Sequence, residues 1–444
     1  MEGKSMKSKK VVMPIISAML VLGLTACGAQ DAKDDPAASN KSTDKSDSGE
    51  KVELRVAWWG GQARHDKMNK LFDLFEQKNP NIKVSREFTT ENQYAEKFTT
   101  QAAGGNAPDV LQTSSFFQFD FVKRNMMLEL DPLVASGDIN VSDFDPVDVD
   151  GGKVNGKLYA ISLGHNINGI IYNTEMFKKA GLDMPKNNWT WDDYVATAKA
   201  LQKSLGKDAW ASEDEGGVYR VLELFVQQRG KSVFTENGLG IDKQDLTDWF
   251  TFWDQMRKDG LTPPPAIQSE QGDKTQEQSM LARGKVAMIT KSSNQLKIYQ
   301  GSAKDELGIV SYPMDPNGQK KIPLIVASLG ISAKTKHPKE AAKLINFVVN
   351  DPDAANIFKG EHGPQASKKM QEVIKPLLGK PEEKEYAFVN EMMPTTKPYP
   401  TMPGGSTSVQ KLLLSNNEAI AFGKKTIPQA VDEFFAQANQ VLGR

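Results

Sequence analysis

The sequence predicts an α/β fold with a mostly parallel sheet, divided between two lobes. From Val52 onward, short apolar runs of strand character alternate with helical patterns, an order typical of parallel sheets covered by helices. The chain has 444 residues and no short internal repeat. The strand–helix units exceed what one sheet needs, so we expect two lobes.

The first part of this pattern contains three strands and two helices in strict alternation. The strands are predicted in VELRVAWWGG, NIKVSREF and APDVLQTSS. Between the first two, Met68, Leu71, Phe72 and Phe75 fall on one helical face, and Pro80 lies just past the helix end. The second helix, NQYAEKFTTQAAGG, should stop at its paired glycines.

The same alternation continues beyond residue 150. Strands are predicted in GKLYAISLG, GIIYN, GKVAMITK, LGIVSYP and IVASLGISA, and Asn155-Gly156 reads as a turn between strands. Helices are predicted in TWDDYVATAKALQKSLG, HPKEAAKLINFVVND and TIPQAVDEFFAQANQVLG. Thr190 and Asp193 have the spacing of a capping box, and Thr426 with Pro428 marks the start of the last helix.

Composition excludes several classes of protein. Lys+Arg (55) and Asp+Glu (56) nearly cancel, which disfavours a nucleic-acid partner. The chain has one cysteine, Cys27, and four dispersed histidines, so it contains neither a disulfide framework nor a multi-thiolate metal site. We therefore expect no metal and no cofactor.

The N-terminus has the pattern of an export signal. Basic residues precede an apolar run, Val11 to Leu22, that is too short to span a bilayer. We interpret residues 1–26 as a signal peptide, because the LTAC ending at Cys27 resembles the bacterial lipobox, whose cysteine receives a diacylglycerol thioether. Residues 27–50 lack large apolar side chains and are predicted to form a disordered tether. The alternative is an ordinary cleavage site with an incidental cysteine.

Enzyme signatures are weak. GGKVNGKL only approximates a phosphate-binding loop, since Leu158 replaces the magnesium-binding hydroxyl. No G-x-S-x-G motif occurs, and Cys27 is assigned to lipidation. Glu213 and Glu215 are a conceivable glycosidase pair, but a solvated acidic loop is the better interpretation. We expect a protein that is not an enzyme.

The stretches RVAWWGGQARHDKMNKLFDLFEQKNPNIKV, TTQAAGGNAPDVLQTSS and GKVNGKLYAISLGHNINGIIYNTEMFKKAGLDMPKNNWTWDDY resemble family 1 of the extracellular solute-binding proteins, relatives of the maltose-binding protein. The resemblance extends over residues 52–444. It implies a two-lobed periplasmic-binding-protein fold of type II, with chain crossings at a hinge and a ligand cleft between the lobes. By analogy, the N-terminal lobe comprises 52–163 and 328–365, and the C-terminal lobe 166–325 and 368–444.

The resemblance also implies a function. The protein would capture an oligosaccharide and deliver it to the permease of an ATP-driven importer, as a lipid-anchored monomer outside a bacterial, Gram-positive cytoplasmic membrane. AWWGGQARHD and KGEHGPQAS resemble members that serve plant cell-wall oligosaccharides, including rhamnogalacturonan fragments. Arg64 and Lys291 would then pair with a uronate carboxylate. The alternative function is that of a secreted polysaccharide lyase or hydrolase.

Candidate ligand contacts lie where strands end, because loops at the carboxyl ends of strands form the binding crevice of such sheets. Trp59 rather than Trp58 is our choice for stacking on a sugar ring. Asn168 is a lesser candidate. The complete set is Trp59, Gly60, Gly61, Gln62, Arg64, His65, Thr113, Ser114, Ser115, His165, Asn166, Glu213, Asp214, Tyr219, Lys291, Ser292, Asn294 and Ser406.

Overall fold

A computed structural model describes residues 51–271, 275–318 and 321–444. The predicted signal peptide (1–26), Cys27 and the rest of the predicted tether (27–50) lie outside these residues. Within them, no helix combines the length and apolar character needed to cross a membrane.

The strands agree with most of the sequence predictions. Their bounds are β1 Val52–Trp59, β2 Ile82–Thr89, β3 Val110–Ser114, β4 Lys153–Val154, β5 Lys157–Leu158, β6 Ala160–Asn173, β7 Trp210–Ser212, β8 Phe234–Thr235, β9 Gly238–Leu239, β10 Val286–Ser292, β11 Leu307–Ser311, β12 Ile322–Ile331 and β13 Thr396–Pro398. The turn predicted at Asn155-Gly156 joins β4 to β5, and both residues have positive φ, as a two-residue hairpin of type I′ requires.

The helices cover both lobes. Their bounds are α1 Gln62–Lys78, α2 Glu91–Ala103, α3 Gln118–Lys123, α4 Asp131–Ala135, α5 Pro146–Gly151, α6 Thr174–Lys179, α7 Trp191–Ser204, α8 Tyr219–Gln227, α9 Lys243–Lys258, α10 Pro265–Ser269, α11 Leu296–Ser302, α12 Pro338–Asn350, α13 Pro352–Phe358, α14 Lys368–Ile374, α15 Lys380–Met392, α16 Ser406–Ala421 and α17 Ile427–Val441. The predicted capping box of Thr190 and Asp193 is present at the start of α7, and Thr426 caps α17.

The main sheet is mixed, and the expectation of a mostly parallel sheet is wrong. Its order is β2-β1-β3-β12-β6-β10-β7, with β11 also paired to β6 and β13 to β12. β1 runs parallel to β2 and β3, but β12 is antiparallel to β3 and β6, and β6 is antiparallel to β10 and β11. The antiparallel pairs arise because β6 and β12 are long strands that pass between the lobes.

Strand β6 belongs to both lobes. Residues Ala160–Ile167 pair with β12, whereas Asn168–Asn173 pair with β10 and β11. Ile161 and Leu163 pack into one hydrophobic cluster, which also contains Leu54 and Phe72; Ile167, Ile170 and Tyr172 pack into another, which also contains Trp249 and Phe434. We call these clusters the cores of the first and second lobes. The segments GKLYAISLG and GIIYN, predicted as separate strands, thus share one continuous strand.

Hydrogen bonds hold three chain segments together where β6 passes between the cores. The Asn166 amide donates to the carbonyl of His362 at 2.7 Å and accepts from the Ser293 hydroxyl and the Asn294 backbone N–H, both at 3.2 Å. Gly363 has φ of 88°, and a β-carbon there would overlap the carbonyl oxygen of His165. Only glycine suits this close approach.

We predict that Asn166→Ala lowers the free energy of unfolding by about 2–4 kcal/mol, because it leaves buried donors and acceptors of three other residues without a partner. Denaturant unfolding measures this loss. Asn168→Ala is the matched control, since Asn168 lies two residues along the same strand and its side chain forms no hydrogen bond with another described residue. Equal losses in the two variants would contradict a special role for Asn166.

Candidate ligand-binding site

A cavity of about 540 Å³ opens in the second lobe. Its walls are the segment from Glu213 to the start of α8, the end of β10, one face of α16, and described residues between Pro265 and Ser279. Asn168, on the crossing strand β6, also lines it. Its size is within the range of about 300–1,000 Å³ typical of small-molecule sites. We call it the second-lobe cavity.

The second-lobe cavity brings together five of the site residues predicted in this lobe. Glu213, Asp214, Tyr219, Lys291 and Ser292 all line it, together with the lesser candidate Asn168. Ser292 and Asn168 meet because they pair across β10 and β6. The sequence could not show this pairing, since Asn168 and Ser292 are 124 positions apart (292 minus 168).

Four charged side chains that line the second-lobe cavity form no close ion pair with another described residue; they are Glu213, Arg220, Lys291 and Glu418. Burial raises the pKa of the Glu213 carboxyl, and nearby Lys291 opposes the shift. Burial alone would lower the pKa of Lys291, but the charge of Glu213 and lesser neighbours raises it overall. Arg220 and Glu418 are the other two unpaired charges. Among the described residues, neither Lys291 nor Arg220 has a carboxylate oxygen within 4.0 Å, so both cations remain available to a ligand.

Two acidic neighbours of Glu213 have structural partners. Asp214 accepts from Arg257 at 2.6 Å and from the backbone N–H of Gly216 at 3.0 Å. Glu215 accepts from both the backbone N–H and the hydroxyl of Thr290, and burial raises its pKa to about 7. These bonds fix the 213–216 segment onto β10 and α9, and so hold one wall of the cavity.

The tryptophans predicted to stack on a sugar are both buried. Trp58 is fully buried and packs against Phe72, while Trp59 is 6 % exposed and packs against Tyr94 at 4.8 Å and Phe117 at 5.7 Å between ring centroids. Alternation along β1 does direct the two rings to opposite faces of the sheet. Side chains of the protein cover both rings, which leaves Trp59 little surface for a ligand in this structure. Its contact with a sugar remains a prediction.

The residues after β1 form contacts within the first lobe. Arg64 donates to Glu361 at 3.2 Å and to the carbonyl of Trp59 at 3.3 Å, and His65 accepts from the Trp58 indole at 3.1 Å. Burial, aided by Arg64, lowers the pKa of His65. Gly60 donates to the carbonyl of Thr89, Gly61 caps α1, and exposed Gln62 donates to Asp66.

The remaining predicted residues lie at the crossing or between the lobes. The Ser115 hydroxyl accepts from the Val326 backbone N–H and the Ser114 hydroxyl from that of Phe116, while the buried Thr113 hydroxyl has no partner among the described residues.

His165 Nδ1 lies 2.9 Å from Asp148. Asn166 and Asn294 bond to each other, as described above. Ser406 begins α16 and lines a separate cavity of about 270 Å³ with Phe116, Phe117 and Asp120.

The structure adds a contact between the lobes that the sequence reasoning missed. Phe116 follows β3 of the first lobe, yet packs against the core of the second. Its ring lies 4.7 Å from the Arg220 guanidinium carbon and 5.0 Å from the Tyr399 ring centroid, distances at which cation–π and edge-to-face contacts stabilise. Arg220 therefore joins the lobe contact to the second-lobe cavity. In the sequence, the indication of this role was that Arg220 directly follows the predicted site residue Tyr219.

The comparisons with known proteins agree with this architecture. The sequence pattern of the family described as bacterial extracellular solute-binding protein matches residues 61–355. The chain belongs to this family.

Individual members are distant in sequence. A multiple sugar-binding protein of Streptococcus mutans is 24% identical over 355 residues, covering 76% of this chain and 80% of that protein. A family 1 extracellular solute-binding protein of Alicyclobacillus acidocaldarius superposes with a TM-score of 0.73 at 25% identity, covering 90% and 100%. A periplasmic oligogalacturonide binding protein of Yersinia enterocolitica, in complex with saturated digalacturonic acid, superposes with a TM-score of 0.75 at 24% identity, covering 88% and 99%.

We predict that Glu215→Gln weakens the pH dependence of stability. Glu215 keeps its proton up to about pH 7 when folded but releases it near 4.5 when unfolded, so the free energy of unfolding falls as pH rises between these values. The effect is at most about 3 kcal/mol. Thermal unfolding at pH 5 and pH 8 measures it.

The control is Glu383→Gln, which alters an exposed carboxylate and should keep the wild-type difference between the two pH values. A Glu215→Gln variant with that same difference would contradict the assignment of a buried, protonated Glu215.

Proposed function

We propose that the protein binds an oligosaccharide in the second-lobe cavity and delivers it to the permease of an ATP-driven importer. The observation that carries the proposal is the polar cavity itself, placed beside the strand that crosses between the lobes. Its walls contain amides, hydroxyls and charged groups, which suit sugar hydroxyls. The names of the Streptococcus and Yersinia relatives favour the same ligand class.

Binding explains the second-lobe cavity better than hydrolysis does. A glycosidase needs two carboxylates free to face the scissile bond. Of the acidic residues in the 213–215 segment, Asp214 is held by Arg257, and Glu215 is held by Thr290 and does not line the cavity. The pair of Glu213 and Glu215 considered from the sequence therefore does not face the cavity together, and we propose a protein that is not an enzyme.

An acidic sugar would suit the charges. Arg64, the first-lobe cation considered from the sequence, is bound to Glu361. Arg220 and Lys291 instead both line the second-lobe cavity, together with two carboxyls that form no close ion pair with a described residue, Glu213 and Glu418. A uronate carboxylate would accept charge-assisted hydrogen bonds from Arg220 and Lys291.

Binding would be coupled to closure of the lobes. We propose that the lobes comprise 52–163 with 328–365 and 166–325 with 368–444, in agreement with the two hydrophobic cores. A ligand that contacts Arg220 also acts on the contact between Arg220 and Phe116. The closed form of a monomer would then present its surface to the permease.

Titration calorimetry with a panel of oligosaccharides tests the ligand. We expect stoichiometric binding of galacturonate-containing oligosaccharides and no product on prolonged incubation. Lys291→Gln should weaken these ligands about tenfold, through loss of one charged hydrogen bond, and change neutral xylo- or malto-oligosaccharides much less. Tight binding of neutral sugars alone would contradict an acidic ligand, and turnover would contradict the binding function.

We further propose that Cys27 carries a lipid that anchors the protein outside the cytoplasmic membrane of a Gram-positive bacterium, with residues 27–50 as a tether. The support is the sequence alone. We expect Cys27→Ser to move the protein from the membrane fraction to the medium while leaving the affinity for oligosaccharide unchanged. Immunoblots of cell fractions measure the first effect, and a variant that stays with the membrane would contradict the anchor.

A further inference from the structure

One face of α16 forms a long wall of the second-lobe cavity. The lining residues recur at helical spacing and belong to the same side of the helix; they are Gln410, Leu414, Asn417, Glu418 and Ala421, followed by Phe422. At about 1.5 Å per residue, Gln410 and Ala421 lie about 17 Å apart along the helix axis. This wall is several times as long as one pyranose ring is wide.

The two ends of this wall differ in their distance from the first lobe. Ser406, at the start of α16, lines the smaller cavity that also contains Phe116, Phe117 and Asp120 of the first lobe. Phe422 follows the last turn of the helix, at the opposite end. A ligand along α16 therefore extends away from the end of the helix that meets first-lobe residues.

Apolar side chains remain exposed along this wall. Val218, Leu414 and Phe422 are among the exposed large hydrophobic residues of the described chain, and all three line the second-lobe cavity. Phe422 is 45 % exposed, whereas the cavity's tyrosines, Tyr219 and Tyr299, are each only 5 % exposed. Phe422 is thus the most exposed aromatic of the cavity among the described residues, with the Lys424 ammonium 5.4 Å from its ring centroid.

We infer that Phe422 forms an outer subsite, where its ring stacks on a sugar unit of a chain of at least three units. The inference rests on the proposed function, because it concerns the ligand of the same cavity. Sugar rings present apolar C–H faces that pack on aromatic rings, and the hydroxyls of a sugar chain along this helix face can bond to polar side chains such as Gln410. Leu414 and Val218 continue the apolar strip inward.

Affinity as a function of oligosaccharide length tests the subsite. For wild-type protein we expect a hexasaccharide of the bound series to bind more tightly than the disaccharide. Phe422→Ala should weaken the hexasaccharide about tenfold and leave the disaccharide unchanged, while Phe422→Tyr keeps the ring and should retain wild-type affinity. Calorimetry of each pair gives both numbers.

The matched control is Leu377→Ala, which removes an equally exposed apolar side chain (46 %) outside the cavity and should change neither affinity. Equal weakening of both lengths, or no weakening of either, would overturn the subsite. If affinity were unchanged but uptake by cells were reduced, Phe422 would contact a protein instead of the sugar, and the subsite would again be overturned. A wild type that binds no oligosaccharide would instead overturn the proposed function, and the subsite with it.

Discussion

Strand β6 imposes the constraint on which the rest of the structure depends. Its first half completes the sheet of one lobe and its second half the sheet of the other, so the lobes cannot separate without breaking a continuous hydrogen-bonded strand. Asn166 stabilises the crossing, because its side chain bonds to His362 of the first lobe and to Asn294 of the second. A hinge of this kind allows the lobes to rotate relative to each other while β6 stays in register with its partner strands.

The position of the second-lobe cavity follows from that constraint. β10 pairs with the second half of β6, so the end of β10 carries Lys291 and Ser292 to the crossing. Thr290 then holds the acidic segment 213–216 through Glu215, and α16 closes the far side. Arg220 touches both the cavity and Phe116 of the first lobe, which gives a bound ligand a direct physical connection to the lobe contact.

Local patterns in the sequence predicted most elements, because capping residues, helical periodicity and turn residues act over a few positions. They also predicted Glu213, Asp214 and Lys291 of the second-lobe cavity, since these lie at strand ends, but not Arg220 and Glu418, which lie on helices. Pairing direction could not be predicted, because it depends on how β6 and β12 cross between lobes. Trp59 was chosen by alternation alone, which cannot show that Tyr94 and Phe117 cover its ring. Phe422 was missed because α16 itself was not predicted.

Hydrogen exchange with and without a bound oligosaccharide tests the central claim most directly. If the ligand occupies the second-lobe cavity, we expect slower exchange at residues 213–220, at the end of β10 and along α16, together with the segment around Phe116. Protection confined to the first lobe, at the loop after β1 and around Glu361, would place the ligand elsewhere and contradict the account.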